Sequence, residues 1–203
     1  MAAKKVLLLI AGPPGTGKTY LGDMIEKEIG HFANVNMDKI KEANYDQYGF
    51  DNLDEKKKVD RQSLQDYFEA IDEAMKTERH ILTDYPFSDK QKPALENLAK
   101  QYDYVPITIR LYADTDVLYE RQRKRDLDPT RHLGHIMNHY HYGDVLDDHS
   151  KADGLPTKKL FSDRIKVRGY NTFRLGRLLT EDVNDFSKVD YTDLLKKLKQ
   201  WIE

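Results

Sequence analysis

The 203-residue chain contains no cysteine and only one tryptophan, and its formal net charge is only −2. The lack of cysteine excludes disulfides, thiolate nucleophiles and cysteine-ligated zinc, so any catalysis depends on other polar side chains or on a bound metal. Near the N-terminus the longest apolar run is Val6 to Ala11, far short of the roughly 20 residues of a membrane-spanning helix. A secretory signal also needs a longer apolar stretch, so we expect a cytoplasmic protein.

The small net charge conceals two basic segments. Residues 121–131 carry five basic residues against two acidic ones, and residues 164–177 carry five basic residues and no acidic one. These segments contribute +3 and +5, which leaves the rest of the chain at −10. Because positive charge is concentrated locally, the near-neutral average does not exclude a partner that carries phosphate.

Apolar runs that are typical of buried strands alternate with segments of helical periodicity, which predicts a three-layer α/β/α fold around a parallel five-stranded sheet. The predicted strands are Val6–Ala11, Phe32–Met37, Arg79–Thr83, Tyr104–Tyr112 and a last strand at Leu178–Leu179. The predicted helices cover about residues 19–29, 54–77, 89–101, 114–125 and 191–201, with another helix beginning at Lys39.

Residues 127–163 break this alternation. They are rich in glycine, proline, histidine and tyrosine and poor in aliphatic residues, which indicates an insertion that covers a binding cleft. We call residues 127–163 the lid segment and expect it to be partly helical at 135–142. The whole chain, 1–203, is predicted to form one domain with this insertion.

The strongest motif is a complete G-x-x-x-x-G-K-[ST] pattern that lies between the first strand and the first helix. In such a loop the glycines let backbone N–H groups point at phosphate oxygens, the lysine reaches the β- and γ-phosphates, and the final hydroxyl ligates Mg²⁺. The predicted nucleotide-binding residues are Gly12, Pro13, Pro14, Gly15, Thr16, Gly17, Lys18, Thr19 and Tyr20.

With this loop in place, residues 5–125 resemble the small-molecule kinase branch of P-loop proteins. That group includes shikimate, gluconate and nucleoside monophosphate kinases, chloramphenicol phosphotransferase and the kinase domain of polynucleotide kinase. The resemblance is specific at the loop and looser afterwards. It implies a P-loop NTPase fold and transfer of the ATP γ-phosphate to an alcohol group with Mg²⁺. A resemblance to AAA+ motor proteins is not expected beyond the loop itself.

Two acidic residues lie where strands two and three end, which in a parallel sheet is the edge where ligands bind. By the resemblance, Asp38 is the catalytic base for the acceptor hydroxyl and Lys41 holds the substrate. Asp84 ends a segment similar to a Walker B strand and joins Thr19 at Mg²⁺ or contacts the substrate. The alternatives are that Asp38 only caps the following helix, that Lys41 is solvated, and that Asp84 forms a turn.

Arginines follow the fourth strand, where the resemblance places the residues that close over ATP. Arg121 and Arg125 share a helix face at i, i+4 spacing and are expected to contact phosphate as catalytic residues. Arg131 is expected to bind substrate from the lid segment. The alternative is a solvated basic helix end that complements the helix dipole.

Two features leave their interpretation open. Five of the seven histidines fall within residues 132–149; if residues 132–142 are helical, three of them share a face, although a metal site is not favoured. In residues 164–177, Arg164, Lys166 and Arg168 alternate with apolar residues, which predicts either a half-exposed hairpin or a strip that contacts nucleotides or nucleic acid.

The function that these features predict is an ATP- and Mg²⁺-dependent kinase acting on a hydroxyl of a small polar or phosphorylated molecule. A nucleoside or polynucleotide 5′-hydroxyl kinase and a nucleotide-hydrolysing regulatory protein remain alternatives, and a kinase of nucleotide sugars is a further one. The expected partners are ATP and a small-molecule acceptor; nucleic acid is not favoured and no membrane contact is expected.

Overall fold

The computed structural model describes residues 5–202. Strands and helices alternate along most of this range. The strands are β1 (Lys5–Ala11), β2 (Phe32–Asn34), β3 (His80–Asp84), β4 (Tyr104–Tyr112) and β5 (Arg177–Asp182). The helices are α1 (Lys18–Glu28), α2 (Met37–Tyr48), α3 (Leu53–Lys76), α4 (Lys92–Gln101), α5 (Thr115–Asp126), α6 (Leu133–Ile136), α7 (Lys158–Arg168) and α8 (Thr192–Ile202).

The five strands form one sheet in the order β2-β3-β1-β4-β5, and every pairing is parallel. The predicted fold class is therefore confirmed. Strand β1 is central because its side chains are apolar on both faces, and residues 6–11 are all fully buried. Parallel strands covered by helices on both sides require this composition.

Alternate residues of β1 enter two separate cores. Leu7 and Leu9 pack with α3 and α4, whereas Leu8 and Ile10 pack with α1 and α8. The sheet is thus the middle layer of three, and its carboxyl-terminal edge is left open between the helices. That edge is where the loops after β1, β2 and β3 come together.

The start of α2 differs from the expectation. Strand β2 ends at Asn34 rather than Met37, and Asn36 caps α2 by accepting a hydrogen bond from the Lys39 backbone N–H at 2.9 Å. The interpretation of Asp38 as a simple helix cap is therefore wrong, because an asparagine two residues earlier occupies the N-cap. Asp38 lies in the first turn of α2.

Residues 164–168 belong to helix α7, so the hairpin expected there is wrong. The buried residues Phe161 and Ile165 lie at i, i+4 and pack on α5, while Val167 is 86% exposed. Thr157 caps α7, and Gly169 ends it with a left-handed φ of 64°. Two alternating apolar residues, here Ile165 and Val167, fit a strand or a helix equally well. Only residues that begin and end a helix, here Thr157 and Gly169, distinguish the two.

The lid segment is less helical than expected. Helix α6 covers only Leu133–Ile136, and the helix predicted at 135–142 is absent from this described part of the chain. Irregular structure continues to residue 157, apart from a 3₁₀ turn at His149–Lys151, and α7 then begins inside the lid segment. Within residues 5–202, none of the helices combines the length and apolarity needed to cross a bilayer.

Candidate active site

The loop between β1 and α1 has the conformation that its glycines permit. Gly12, Gly15 and Gly17 have φ values of 135°, 88° and 78°, which residues with a side chain rarely adopt. Gly17 is the N-cap of α1 and supplies no side-chain acceptor. The first N–H groups of α1 therefore remain available to an anion at the helix N-terminus.

The same glycines let the loop lie close to its neighbours. A Cβ at Gly12 would overlap the carbonyl oxygen of Leu111 on β4, and one at Gly15 would lie 2.7 Å from the carbonyl oxygen of Leu118 on α5. Thr16 is fully buried and donates to the Pro13 carbonyl at 2.9 Å. The loop is thus held from behind by its own residues and by two neighbouring elements.

Lys18 lies across this loop and donates to the carbonyls of Gly12 and Pro13 at 3.1 and 2.9 Å. Burial and the charge of Arg125 lower its pKa to about 8, against the opposing charges of Asp84 and Asp38. A buried ammonium group without a full complement of negative charge gains stability from an anion. Bound phosphate would supply that charge.

Thr19 and Asp84 face each other at the ends of α1 and β3. The Thr19 hydroxyl donates to Oδ2 of Asp84 at 2.8 Å, and the side-chain amide of Asn36 donates to Oδ1 at 3.3 Å. Burial raises the pKa of Asp84 despite the hydrogen bond from Thr19 and the charge of Lys18. The pair therefore offers oxygen donors that a cation would stabilise.

Asp38 points from the first turn of α2 toward the same edge, with 45% of its side chain exposed. Burial acts to raise its pKa, but His135, Arg125, Arg131 and Lys41 together hold the pKa below its usual value. Asp38 is therefore an ionised carboxylate at neutral pH.

Lys41 lies one turn later and forms an ion pair with Asp60 of α3 at 2.8 Å. Burial acts to lower its pKa, but Tyr45 and Asp60 outweigh burial and raise it. The side chain is 18% exposed, so Lys41 is not the freely solvated lysine that one alternative assumed.

Arg121 and Arg125 of α5 have different surroundings. Arg121 donates to the carbonyls of Val183 and Asn184 at 2.6 and 2.9 Å, and its guanidinium lies 3.6 Å from the ring centre of Phe186. The side chain of Arg125 is exposed and makes no hydrogen bond or ion pair with residues 5–202. Arg125 is therefore available to a ligand, whereas Arg121 is fixed against the loop after β5.

These residues meet around one cavity of 380 Å³. Its lining includes most of the predicted catalytic and binding residues, namely Pro14, Gly15, Gly17, Lys18, Thr19, Tyr20, Asp38, Lys41, Asp84, Arg121 and Arg125. Gly12, Pro13 and Thr16 lie outside this lining. Arg131 is also outside it, but the Nη1 atom of Arg131 is 3.9 Å from Asp38.

A second, more apolar cavity of 610 Å³ adjoins the first and shares Gly17, Tyr20 and Phe186 with it. Tyr191 and Leu195 of the chain end also line it. Sequence reasoning missed Phe186, which is 47% exposed in a short 3₁₀ turn. An isolated aromatic residue in a turn carries no periodic signal, and only the fold brings it beside Gly17.

The histidines of the lid segment form pairs with carboxylates rather than one face of a helix. His132, His135 and His141 contact Asp46, Glu42 and Asp51 at 3.0, 2.9 and 2.8 Å, and His139 lies 3.5 Å from Asp153. Three of these acids belong to α2 or the loop after it. The lid segment is therefore packed along α2 through polar contacts.

The aromatic residues of the second basic segment do not form a stacking surface. Tyr170 and Phe173 are 5% and 0% exposed, and Phe173 stacks on Phe87 inside the protein. A protein surface that binds single-stranded nucleic acid needs exposed aromatic rings on which the bases stack. Residues 164–177 therefore provide exposed charge without that surface.

Comparison with known proteins agrees with this geometry. Residues 8–136 match the family described as "AAA domain". This match begins in β1 and extends well past the loop, into the lid segment. No curated protein matches the sequence.

Several solved structures share the fold across nearly the whole chain. A protein from Chloroflexus aurantiacus, provisionally described as a kinase, has a TM-score of 0.73 and 23% identity over 97% of this chain and 98% of its own. A gluconokinase from Sinorhizobium meliloti has a TM-score of 0.54 and 12% identity, covering 97% and 91% of the two chains.

A shikimate kinase from Bacteroides thetaiotaomicron has a TM-score of 0.54 and 13% identity, covering 97% of this chain and 98% of its own. At these identities the likeness establishes the fold. Together with the family match over residues 8–136, it leads to one conclusion: the chain belongs to the AAA-domain family of P-loop proteins and has the fold of the P-loop kinases.

Proposed function

We propose that the protein is a phosphotransferase that moves the γ-phosphate of ATP, with Mg²⁺, to a hydroxyl group of a small polar or phosphorylated molecule. One observation carries the proposal. A single cavity is lined by the loop lysine Lys18, by the exposed arginine Arg125 and, from a separate helix, by the ionised carboxylate of Asp38. Phosphoryl transfer depends on placing phosphate charge and an acceptor in line, which this arrangement permits.

The nucleotide side is supported by charge and shape. Lys18 and the free N–H groups at the start of α1 would bind the phosphates, and Arg125 would close on them. The apolar cavity between Tyr20, Phe186 and Tyr191 lies beside the loop and would take the base. Arg121 would act mainly as the wall that keeps Phe186 in place.

The residues at the end of β3 fit Mg²⁺. Magnesium prefers oxygen ligands and often takes only one or two from the protein, with phosphate oxygens and water completing its shell. Thr19 and Asp84 supply such oxygens, and residues 5–202 contain no group of three or more His, Asp or Glu side chains arranged for a metal. When bound there, Mg²⁺ would neutralise charge on the transferring phosphate.

On the acceptor side, Asp38 would accept a hydrogen bond from the acceptor hydroxyl and take its proton as transfer proceeds. The bond from the acceptor oxygen to the γ-phosphorus forms, the bond from that phosphorus to the β–γ bridging oxygen breaks, and ADP leaves. Lys41 remains tied to Asp60 and would line the substrate pocket. Since Asp38 has a lowered pKa, we expect it to orient the hydroxyl more than to act as a strong base.

The experiment is a screen of metabolites and 5′-hydroxyl oligonucleotides for compounds that stimulate ADP formation from ATP. A true acceptor raises ADP formation and yields one phosphorylated product per ADP. Stimulation by oligonucleotides alone would favour the 5′-hydroxyl kinase instead, even though the buried rings of Tyr170 and Phe173 give no platform for bases.

Two variants test the roles within that screen. Lys18→Ala should abolish turnover, and Asp38→Asn should lower the acceptor-dependent rate by roughly 10²-fold, the lower end of the range for general acid–base catalysis, because Asp38 is a weak base. Asp89→Asn, which neutralises an exposed carboxylate outside the cavity, is the matched control. If no acceptor exceeds the rate with water and Asp38→Asn leaves that rate unchanged, the protein is a nucleotide hydrolase and the proposal fails.

A further inference from the structure

Arg131 stands among three carboxylates and forms a hydrogen bond with none of them. Its Nε lies 3.5 Å from Asp126, and its Nη1 lies 3.9 Å from Asp38 and 4.0 Å from Glu42. The side chain is only 12% exposed, and its Nε is a buried donor without an acceptor among residues 5–202. A buried polar group of this kind requires an explanation.

Asp126 accounts for the position of Arg131. It is the last residue of α5, with a side chain 5% exposed, and accepts two hydrogen bonds from the side-chain amide of Gln122 at 2.7 and 2.8 Å. A carboxylate at a helix C-terminus is disfavoured by the helix dipole and by burial. Within residues 5–202, Arg131 is the one basic side chain within ion-pair distance of Asp126.

The surroundings of Arg131 do not favour an anionic ligand. Asp38, Glu42 and Asp126 already place three negative charges around one guanidinium. A phosphate or carboxylate brought to Arg131 would be repelled by these like charges. At nearly 4 Å, in turn, Arg131 acts on Asp38 through its charge and leaves the oxygens of Asp38 free for another donor.

We propose that Arg131 is a positioning residue for Asp38, and that Asp126 sets its place. The guanidinium favours the charged form of the Asp38 carboxyl through its positive charge, while its attraction to Asp126 holds it back from a direct hydrogen bond with Asp38. Asp38 thus stays charged and open to an acceptor hydroxyl. This inference rests on the proposed function for the role of Asp38, and it replaces the substrate-binding role expected for Arg131 from the sequence.

Several charged or titratable groups near Asp38 influence its pKa. Helix α2 contributes Lys41 and Glu42, α5 contributes Arg125, and the lid segment contributes Arg131 and the titratable His135, whose own pKa is lowered by burial. Lys18 of α1 and Asp84 of β3 also act on Asp38, whereas Asp126 acts on Arg131. His135 also contacts Glu42 at 2.9 Å. Because Glu42 interacts with His135 as well, we expect Arg131 to interact mainly with Asp38 and Asp126.

The test measures the pKa of Asp38 by carbon NMR of its carboxyl group, identified by loss of the signal in Asp38→Asn. Arg131→Gln removes a positive charge near Asp38 and should raise that pKa by about one unit or more, whereas Arg131→Lys keeps the charge and should leave it low. Asp126→Asn removes a negative charge and should shift the pKa in the opposite direction, further down. Glu120→Gln, an exposed neutralisation on the same helix, should leave it unchanged.

ADP affinity, measured by calorimetry, separates the two roles of Arg131. A positioning residue predicts that Arg131→Gln changes the dissociation constant less than twofold. A tenfold weakening of ADP binding with an unmoved Asp38 titration would return Arg131 to phosphate binding and overturn the proposal, as would equal shifts in the same direction for Arg131→Gln and Asp126→Asn. Neither measurement needs an acceptor, so a failed acceptor screen would refute the proposed function without deciding this one.

Discussion

Two glycines with nearly the same φ angle lie in very different surroundings. Gly15 of the phosphate loop has a φ of +88°, and Gly143 in the lid segment has a φ of +95°. A Cβ at Gly15 would lie 2.7 Å from the carbonyl oxygen of Leu118, whereas a Cβ at Gly143 would have no atom of the described residues within 4 Å. Replacing each by alanine therefore separates the conformational cost from the steric cost.

The expected magnitudes follow from these contacts. The left-handed conformation costs an alanine about 1–2 kcal/mol at either site. At Gly15 the new methyl must also displace the backbone of α5 around Leu118, which is fully buried, and overpacking of this kind adds about 1–3 kcal/mol. The free energy of unfolding should fall by about 1–2 kcal/mol in Gly143→Ala and by about 2–5 kcal/mol in Gly15→Ala.

The same displacement should reach the nucleotide site. The Cβ of Arg121 lies 3.4 Å from the Cβ position at Gly15, so a shift of α5 moves the arginines that it carries. Urea denaturation gives the two stabilities, and calorimetry with ADP gives the affinities. Gly15→Ala should weaken ADP binding at least tenfold, while Gly143→Ala should leave it unchanged. Equal stability losses, or an ADP affinity unaffected in Gly15→Ala, would refute this reasoning.

Three further substitutions test separate parts of the molecule. Phe186→Ala removes a wall of the apolar cavity and should weaken ADP binding about tenfold, or about 1.4 kcal/mol; an unchanged dissociation constant in calorimetry would argue against a base site there. Tyr67→Phe leaves the buried Thr83 hydroxyl without its partner at 2.7 Å and should lower the free energy of unfolding by about 1–3 kcal/mol, with a urea midpoint equal to that of the wild type as the contrary result. Gly134→Ala would bring a Cβ into the ring of Tyr45, so limited proteolysis should cut residues 137–157 faster than in the wild type, and equal cleavage rates would contradict this packing.

Elements with long or strongly apolar patterns are predictable from this sequence. Helix α3 at Leu53–Lys76 and strand β4 at Tyr104–Tyr112 lie where the periodicity places them. The phosphate loop is equally clear, because Gly15 and Gly17 adopt positive φ values that its motif requires. These signals are local, so a window of a few residues contains all the information.

The parts that were mispredicted depend on distant residues. The sequence pattern at residues 164–168 favours a strand, whereas the structure has helix α7 there, with Phe161 and Ile165 packed on α5. Similarly, the His132 and His135 partners lie 86 and 93 residues away on α2. Periodicity within one segment carries no trace of such pairings, so the histidines suggested a helical face that does not form.

The candidate site divides in the same way. Sequence motifs identify Lys18, Thr19 and Asp84, and all three residues line the same cavity. In contrast, Phe186 and Asp126 have no motif of their own and acquire their surroundings only when α5 and the chain end pack beside the loop. Sequence reasoning therefore finds the residues proposed to bind phosphate and Mg²⁺ more readily than those that support them.

An isolated antiparallel bridge joins Phe50 and Tyr140, with two backbone hydrogen bonds of 2.8 Å between them. The bridge fixes the part of the lid segment before residue 141. The residues that follow form an exposed tip, in which Tyr142 and Val145 are 79% and 83% exposed. Extra residues or a fluorescent reporter placed in that tip would leave the bridge and α2 intact. The tip is thus a suitable position for labelling the protein, whereas lengthening the chain a few residues earlier would break the bridge that holds the lid segment on the loop after α2.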